Sequence, residues 1–251
     1  SNFGKWMKSA EKKARQILPQ LSLDGMGEVE KVRTITDYVK STCTWNNWRG
    51  VYASQRFNNF ESSRKGSVAE INLFLTGLLQ GAGLEAYPVV LSTRDNGSIH
   101  LDYPFIETFN YVVAMVKVGN DLYYLDATEK MLPFNELYSS VANVTGLIVV
   151  PGVAQWVTTT QNQYDFIGQE SKVEIDVEGK LASGNCQTAF TGDYAFNMRR
   201  NAVDSRIYTN FGDVYKPLIQ NEAVSEEITV LDDGRVVFYP GYFVKIYRNP
   251  F

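Results

Sequence analysis

Residues Arg64–Arg94 read RKGSVAEINLFLTGLLQGAGLEAYPVVLSTR. Ser67 followed three residues later by Glu70 is the pattern of a capping box, in which each side chain satisfies one orphan backbone donor of a helix start. Ile71, Leu75, Leu78, Leu79 and Ala82 then recur at three- and four-residue spacing, and Leu73 and Phe74 widen the apolar face until little polar surface is left. Gly81 and Gly83 are expected to supply the permissive dihedrals that end this helix. The chain passes at once into Tyr87–Thr93, a β-branched run that reads as a strand. A helix apolar nearly all round belongs inside a domain. It is therefore the expected central helix, with Leu75, Leu78 and Leu79 buried.

Downstream, Tyr111–Val118 and Asp121–Thr128 flank Gly119-Asn120, the signal for a hairpin with β-rich arms. With Gly119-Asn120 as the two-residue loop, Tyr111 lies opposite Thr128 and diagonally across from Asp126 on the same face. Diagonal neighbours of this kind are about 7–8 Å apart at the backbone, within reach of long side chains. A slip of one residue in the loop would lengthen that distance.

These two stretches together resemble the transglutaminase-like branch of the papain-like cysteine enzymes. In that family a basic-Gly-Asp-Cys motif opens the central helix, an Ala-Gly-hydrophobic turn closes it, and a strand ending in Ser/Asn-Thr-Arg follows. Matching Gly66 and the Gly83 turn without gaps puts Ser67 at the Asp and Val68 at the Cys. ETFNYVVAMVKVGNDLYYLDAT is similar to the family's Phe-Asn-His strand and its Leu-Asp-Pro/Ala-Thr strand, with Asn110 at the Asn, Tyr111 at the histidine and Asp126 at the aspartate. The resemblance spans roughly residues 28–150. It holds in order and spacing, while two of three catalytic identities are replaced. It implies an α+β fold with N-terminal helices and a central helix packed on an antiparallel sheet, and a bacterial protein with β-rich modules flanking this core.

Outward from the centre, Phe3–Leu18 has helical spacing, with Phe3, Trp6, Met7, Ala10, Ala14, Ile17 and Leu18 on one face and Pro19 as its stop. A Gly- and Ser-containing connector over residues 20–27 leads to a second amphipathic helix, Glu28–Thr42, lined by Val29, Val32, Ile35 and Val39. Thr44–Lys65 is polar-aromatic without a period and reads as a long loop with room for one short helix. Loops of that length in a compact domain are usually functional. Asp95–Thr108 is a further irregular segment. From about Gln155 the texture changes. QWVTTT, SKVEIDVEGKLASGNCQTAF, EEITVLD and RVVFYP read as short strands with turns at Glu178-Gly179 and Asp232-Asp233-Gly234, and Asp193–Val203 and Tyr215–Ile219 as helical. The expected organisation is a core over residues 1–150 and a smaller, mostly β module over residues 151–251, the whole being a middle portion of a longer protein.

The 251 residues are 44% hydrophobic and 21% charged, enough for a full core. Net charge is −4 and the pI about 5.2, with no basic run longer than Lys12-Lys13, which argues against nucleic acid as a partner. No apolar stretch reaches the roughly 18–20 residues of a membrane span. Cys43 and Cys186 make neither a disulfide framework nor a zinc site. One histidine and no clustered carboxylates give no expected metal site, and no cofactor is expected. The abundance of aromatics fits a surface or periplasmic protein as well as a cytoplasmic one, and the expected location is periplasmic or cell-surface.

The chemistry of the matched positions sets the functional expectation. A thiol at the first turn of a helix is favoured as thiolate by the macrodipole and free N–H groups, and a histidine on the facing strand deprotonates it. Val68 can do neither, and the Tyr111 phenol titrates near 10 and holds its proton at neutral pH. Ser67 is better used as a cap. His100, the only histidine, lies in the irregular 95–108 loop, and Cys43 sits at a helix end, where the dipole disfavours a thiolate. A Glu70–Asp126 pair of carboxylates is the other arrangement open to acid–base chemistry. Trp45, Trp48, Tyr52, Phe57 and Phe60, interleaved with Asn46, Asn47, Asn58 and Asn59, would border the old cleft with flat rings and amides, a combination suited to peptide or glycan recognition; their alternative use is as core or domain contacts. Candidate cleft residues are accordingly Ser67, Glu70, Asn110, Trp45 and Trp48. The expected function is a non-catalytic binding or structural module of a cell-envelope protein. Its expected partners are a peptide or glycan and the flanking domains of the same chain. A residual cysteine-peptidase or transglutaminase-class enzyme with a non-standard nucleophile is the alternative.

Overall fold

The computed structural model describes residues 2–150, 153–161, 167–176, 181–190, 192–194, 196–197 and 223–225. The chain divides into two compact units, Ser1–Asn162 and Gln163–Phe251.

In the first unit, α1 (Asn2–Ile17) buries Trp6, Ala10, Ala14 and Ile17, the residues its spacing predicts. Pro19 sits inside a short 3-10 turn, Leu18–Leu21, that follows directly. Helix α2 (Glu28–Thr42) buries Val32, Ile35 and Val39, whereas Val29, expected on the same face, lies in its first turn and is exposed. The 44–65 segment is more ordered than its lack of period suggests. Strand β1 (Thr44–Trp45) pairs in parallel with β2 (Lys65–Gly66), and α3 (Phe57–Ser63) lies between them. Phe57 and Phe60 point inward and make a ring cluster with Trp6 of α1 and with Phe74, at centroid distances of 4.9–6.3 Å. These two rings are therefore core, not cleft.

The central helix, α4 (Val68–Gly81), is buried at every residue from Val68 to Leu79. Helix α1 crosses it at a seam of small residues. A Cβ added at Gly77 would overlap the Cβ of Ala10, and one at Gly81 that of Ala14. Gly81 therefore serves close approach and lies within the helix, which corrects its expected role as a terminator. The stop is Gly83, at φ +81°. Its N–H donates to Gln80 O at 2.9 Å while the Leu84 N–H donates to Leu79 O at 3.1 Å, the paired bonds of a Schellman motif.

Helix α4 packs on a five-stranded antiparallel sheet built from β3 (Glu85–Leu91), β4 (Tyr111–Val118), β5 (Asp121–Leu125), β6 (Thr145–Val150) and β7 (Val153–Thr158), in the order β5-β4-β3-β6-β7. Val118 pairs with Asp121 and Ala114 with Leu125, so Gly119-Asn120 is the two-residue loop, with Gly119 at φ +61°. Strand β5 ends at Leu125, three residues short of the expected Thr128, because the Asp126 side chain accepts the Thr128 N–H at 2.9 Å and turns the backbone out of the ladder. Strand β6 has no counterpart in the sequence reading. Gly146 lets it cross β3, where a Cβ would come within 2.6 Å of a Val89 methyl. The β6–β7 hairpin carries the sheet to Thr158 and the first unit to Asn162, past the change of texture expected at residues 150–155.

In the second unit, β8 (Ile167–Asp176) pairs antiparallel with β9 (Leu181–Phe190) along its whole length, and β10 (Ala223–Ser225) pairs with β9. Of the expected helix at Asp193–Val203, the residues Asp193, Tyr194, Phe196 and Asn197 are described, and they are helical. The expected strands EEITVLD and RVVFYP, the helix Tyr215–Ile219 and the turns at 178–179 and 232–234 lie outside the described residues. The architecture is α+β, helices first and antiparallel sheet after, with the central helix against the sheet.

Leu75, Leu78 and Leu79 have no exposed surface. Truncating Leu78 to Ala is expected to cost about 2–5 kcal/mol in a denaturant titration. A loss under about 1 kcal/mol would show that α4 is not the centre of the core.

Candidate functional site

The start of α4 is closed by hydrogen bonds. The Ser67 N–H donates to Glu70 Oε2 at 2.8 Å and the Glu70 N–H donates to Ser67 Oγ at 3.3 Å, which completes the predicted capping box. The Val68 N–H donates to the Trp48 carbonyl at 3.1 Å, and the Trp45 indole N–H donates to the same oxygen at 3.2 Å. Of the N–H groups that would favour an anion at this helix end, those of Val68 and Glu70 are thus taken.

The Glu70 carboxylate does more than cap. It is fully buried and also accepts the Ser54 N–H (2.7 Å), the Ser54 hydroxyl (3.0 Å), the Gln55 N–H (2.9 Å) and the Gln55 side-chain amide (3.0 Å). One side chain therefore fastens the middle of the 44–65 segment to the helix start. Burial pushes its pKa up, but the donors from Gln55, Ser67 and Ser54 outweigh that and hold it below its ordinary value. Gly66 makes room for this carboxylate. A Cβ there would stand 2.8 Å from Glu70 Oε2 and from the Phe60 ring.

One turn along α4, Asn72 faces the hairpin. Its amide donates to Val112 O at 2.8 Å and to Asp126 Oδ1 at 2.9 Å, and its carbonyl oxygen accepts the Ala127 N–H at 2.9 Å. Asp126 Oδ1 also accepts the Thr128 hydroxyl at 2.7 Å, and the Tyr111 hydroxyl donates to Asp126 Oδ2 at 2.7 Å. Tyr111 and Thr128 oxygens lie 3.1 Å apart, but each hydroxyl has one proton and both are committed to the carboxylate. Burial and the Asp126 charge push the Tyr111 phenol well above 10, so it remains a donor at neutral pH. Lys40, buried at the end of α2, brings its ammonium to Leu132 O (2.8 Å) and Pro133 O (3.2 Å). Burial pulls its pKa down and the Asp126 charge pulls it back.

The predicted residues thus fall into separate groups. Tyr111 and Asp126 meet as the register requires, inside the domain, and Val68, at the nucleophile position, has no exposed surface. Ser67 and Glu70 form the cap, and Glu70 and Asp126 are each held by a different set of donors. Asn110 pairs with Thr93, accepting its N–H at 2.9 Å and donating to its hydroxyl at 2.8 Å. Trp45 is half-buried over the helix start, whereas Trp48 and Tyr52 are exposed. Cys43 is buried at the end of α2, where burial pushes its thiol pKa up, and His100 is exposed in the 95–108 loop. Asn72 and Thr128 are the residues sequence reasoning missed. The available signal was an amide set between Ile71 and the apolar run Leu73–Leu75, since such a group must find partners across the core. Among the described residues no group of three or more His, Cys, Asp or Glu side chains is placed to hold a metal.

No family model and no curated protein matches the sequence. Some solved structures are similar over part of the chain. A proposed protease of Parabacteroides distasonis is 17% identical with a TM-score of 0.43, over 63% of this chain and 30% of that one. A TGase is 15% identical with a TM-score of 0.33, over 55% of this chain and 34% of that one. A proposed cysteine protease of Cytophaga hutchinsonii is 14% identical with a TM-score of 0.33, over 76% of this chain and 53% of that one. The chain spans about a third to a half of the length of these proteins.

Two stability measurements follow from the buried polar groups. Changing Asn72 to Ala strands Val112 O and the Ala127 N–H and removes one donor to the Asp126 carboxylate, and is expected to cost about 2–4 kcal/mol with little change in exposed surface. A loss below about 1 kcal/mol would mean that the network is not closed as described. Glu70 sets an acid limb. Its folded pKa lies below its ordinary 4.5, so its contribution is full above that value and is lost as pH falls through the folded pKa. Denaturant midpoints of the wild type should therefore drop on acidification below about pH 4.5, and Glu70→Gln should be less stable at pH 7 with a weaker drop.

Proposed function

We propose that the chain carries a transglutaminase-like core that works without catalysis, as a binding module for a peptide or glycan that uses exposed loops in place of the old cleft. The observation that carries this reading is the Tyr111–Asp126 bond. A phenol donates to the carboxylate that would orient a histidine, and Asn72 and Thr128 fill the rest of that carboxylate. Further support comes from the helix start, where an alkyl group and a backbone carbonyl stand where a thiolate would need open N–H donors. Exposed rings are among the side chains free to meet a ligand. Trp48, Tyr52, Tyr103 and Phe105 are all more than half exposed, and flat amphipathic rings on loops suit extended or cyclic ligands.

Transamidation, peptide hydrolysis and acyl transfer in this family of folds all pass through a covalent acyl-enzyme, so they should fail together. The full chain is expected to give no turnover with thiol-directed acyl probes, glutamine mimics and amine acceptors. Turnover abolished by changing Cys43 or His100 would overturn the reading, and so would turnover lost in Asp126→Ala. The double variant Val68→Cys, Tyr111→His should alkylate no faster at pH 6 than a free thiol, because its thiol is enclosed.

A further inference from the structure

Beyond Leu91–Gly146 the ladder between β3 and β6 stops, and the two chains part around a pocket of about 400 Å³. Ser92, Arg94, Gly97, Ser98, Ile99 and Leu101 line it from one side and Val144 and Thr145 from the other. Among the described residues, its lining carries a single charge, Arg94, and no carboxylate. One arm of the Arg94 guanidinium is fixed, with Nη2 donating to Ala142 O at 2.9 Å, while its backbone N–H donates to Ser140 O at 3.0 Å. Among the described residues the guanidinium makes no ion pair, since the neighbouring Asp95 is paired with Arg49 at 2.8 Å. Arg94 is thus oriented by one carbonyl, and its remaining guanidinium donors have no partner among the described residues. Ser92 spends its own hydroxyl on Gly97 O at 2.8 Å, which holds the loop wall in place, whereas the Ser98 hydroxyl has no hydrogen-bond partner among the described residues.

The remaining wall is apolar, made by Ile99, Leu101 and Val144. Leu101 is 53% exposed, and the same loop continues through Tyr103 and Phe105, 75% and 63% exposed. A fixed fork of N–H donors beside an apolar wall, opening where two strands part, matches a chain end. It has a planar carboxylate for the guanidinium, a last side chain for the wall and an extended backbone for the gap. A glycan would meet few hydroxyl partners here, and an internal peptide segment would leave Arg94 unpaired.

We propose that this pocket binds the free C-terminus of a peptide, with the carboxylate on Arg94 and Ser98 and an apolar last side chain against Ile99, Leu101 and Val144. The inference rests on the binding-module reading and names a ligand class for it.

The test uses the full chain, isotope-labelled for amide NMR, with acetyl-Gly-Ala-Leu as probe and its C-terminal amide as control. The free acid is expected to shift the signals of residues 92–101 and 144–145 saturably, and the amide to bind at least about tenfold more weakly. Arg94→Gln should lose about the same factor. If that variant fails to fold because Ala142 O loses its donor, Ile99→Glu, which keeps Arg94 and places a repelling charge on the wall, should lose it instead. Equal binding of acid and amide would overturn the proposal, as would no saturable shift up to about 10 mM probe. Saturable shifts confined to residues 46–52, with peptide or with a glycan fragment, would overturn this pocket while leaving the binding-module reading standing.

Discussion

A charge cannot be buried alone, and in this fold that constraint fixes how the central helix meets the sheet. Asp126 lies with no exposed surface between α4 and the hairpin, and it is tolerable there because Asn72, Tyr111 and Thr128 all donate to it. The donors come from three separate pieces of chain. Sliding α4 along the sheet, or slipping the hairpin by one residue, would break the set and leave a bare carboxylate in the core. The apolar contacts of Leu75, Leu78 and Leu79 supply the greater share of the driving force, but they are non-directional. The polar set chooses one arrangement among the many that would bury the same leucines.

The same reasoning separates what the sequence made legible from what it did not. Periodicity marked α1, α2 and α4, and the Gly119-Asn120 pair marked the hairpin register, because these depend on neighbours within a few residues. Ser67 and Glu70 were legible as a cap for that reason. That Glu70 also anchors Ser54 and Gln55 was not, since those donors lie fifteen and sixteen positions upstream and carry no pattern. Strand β6 was missed because TGLIVV is short and uniformly apolar, with a glycine that reads as a break until its crossing with β3 is seen. Gly81 was misread for the complementary reason. A glycine near a helix end has two uses, dihedral freedom and close approach, and the partner helix decides between them.

The candidate site divides along the same line. That Tyr111 and Asp126 face each other followed from register alone. Whether they face a cleft depended on what the 44–65 segment does, and that segment folds Phe57 and Phe60 inward while laying the Trp48 carbonyl over the helix start. A thiol and an imidazole placed at positions 68 and 111 would therefore be enclosed. The helix start is thus closed twice over, by the side chains at positions 68 and 111 and by the backbone laid across it.

The seam between α1 and α4 bears on how the chain can be dissected. Gly77 and Gly81 leave a furrow in α4 that only a helix with alanines at matching positions can fill, and Ala10 and Ala14 are those residues. A fragment beginning after Ile17 would keep the resembling motifs intact and still expose that furrow, together with Phe60 and Phe74, which Trp6 helps to cover. The folded unit therefore starts well upstream of the stretch that carries the resemblance, and domain limits drawn by motif alone would cut through its core.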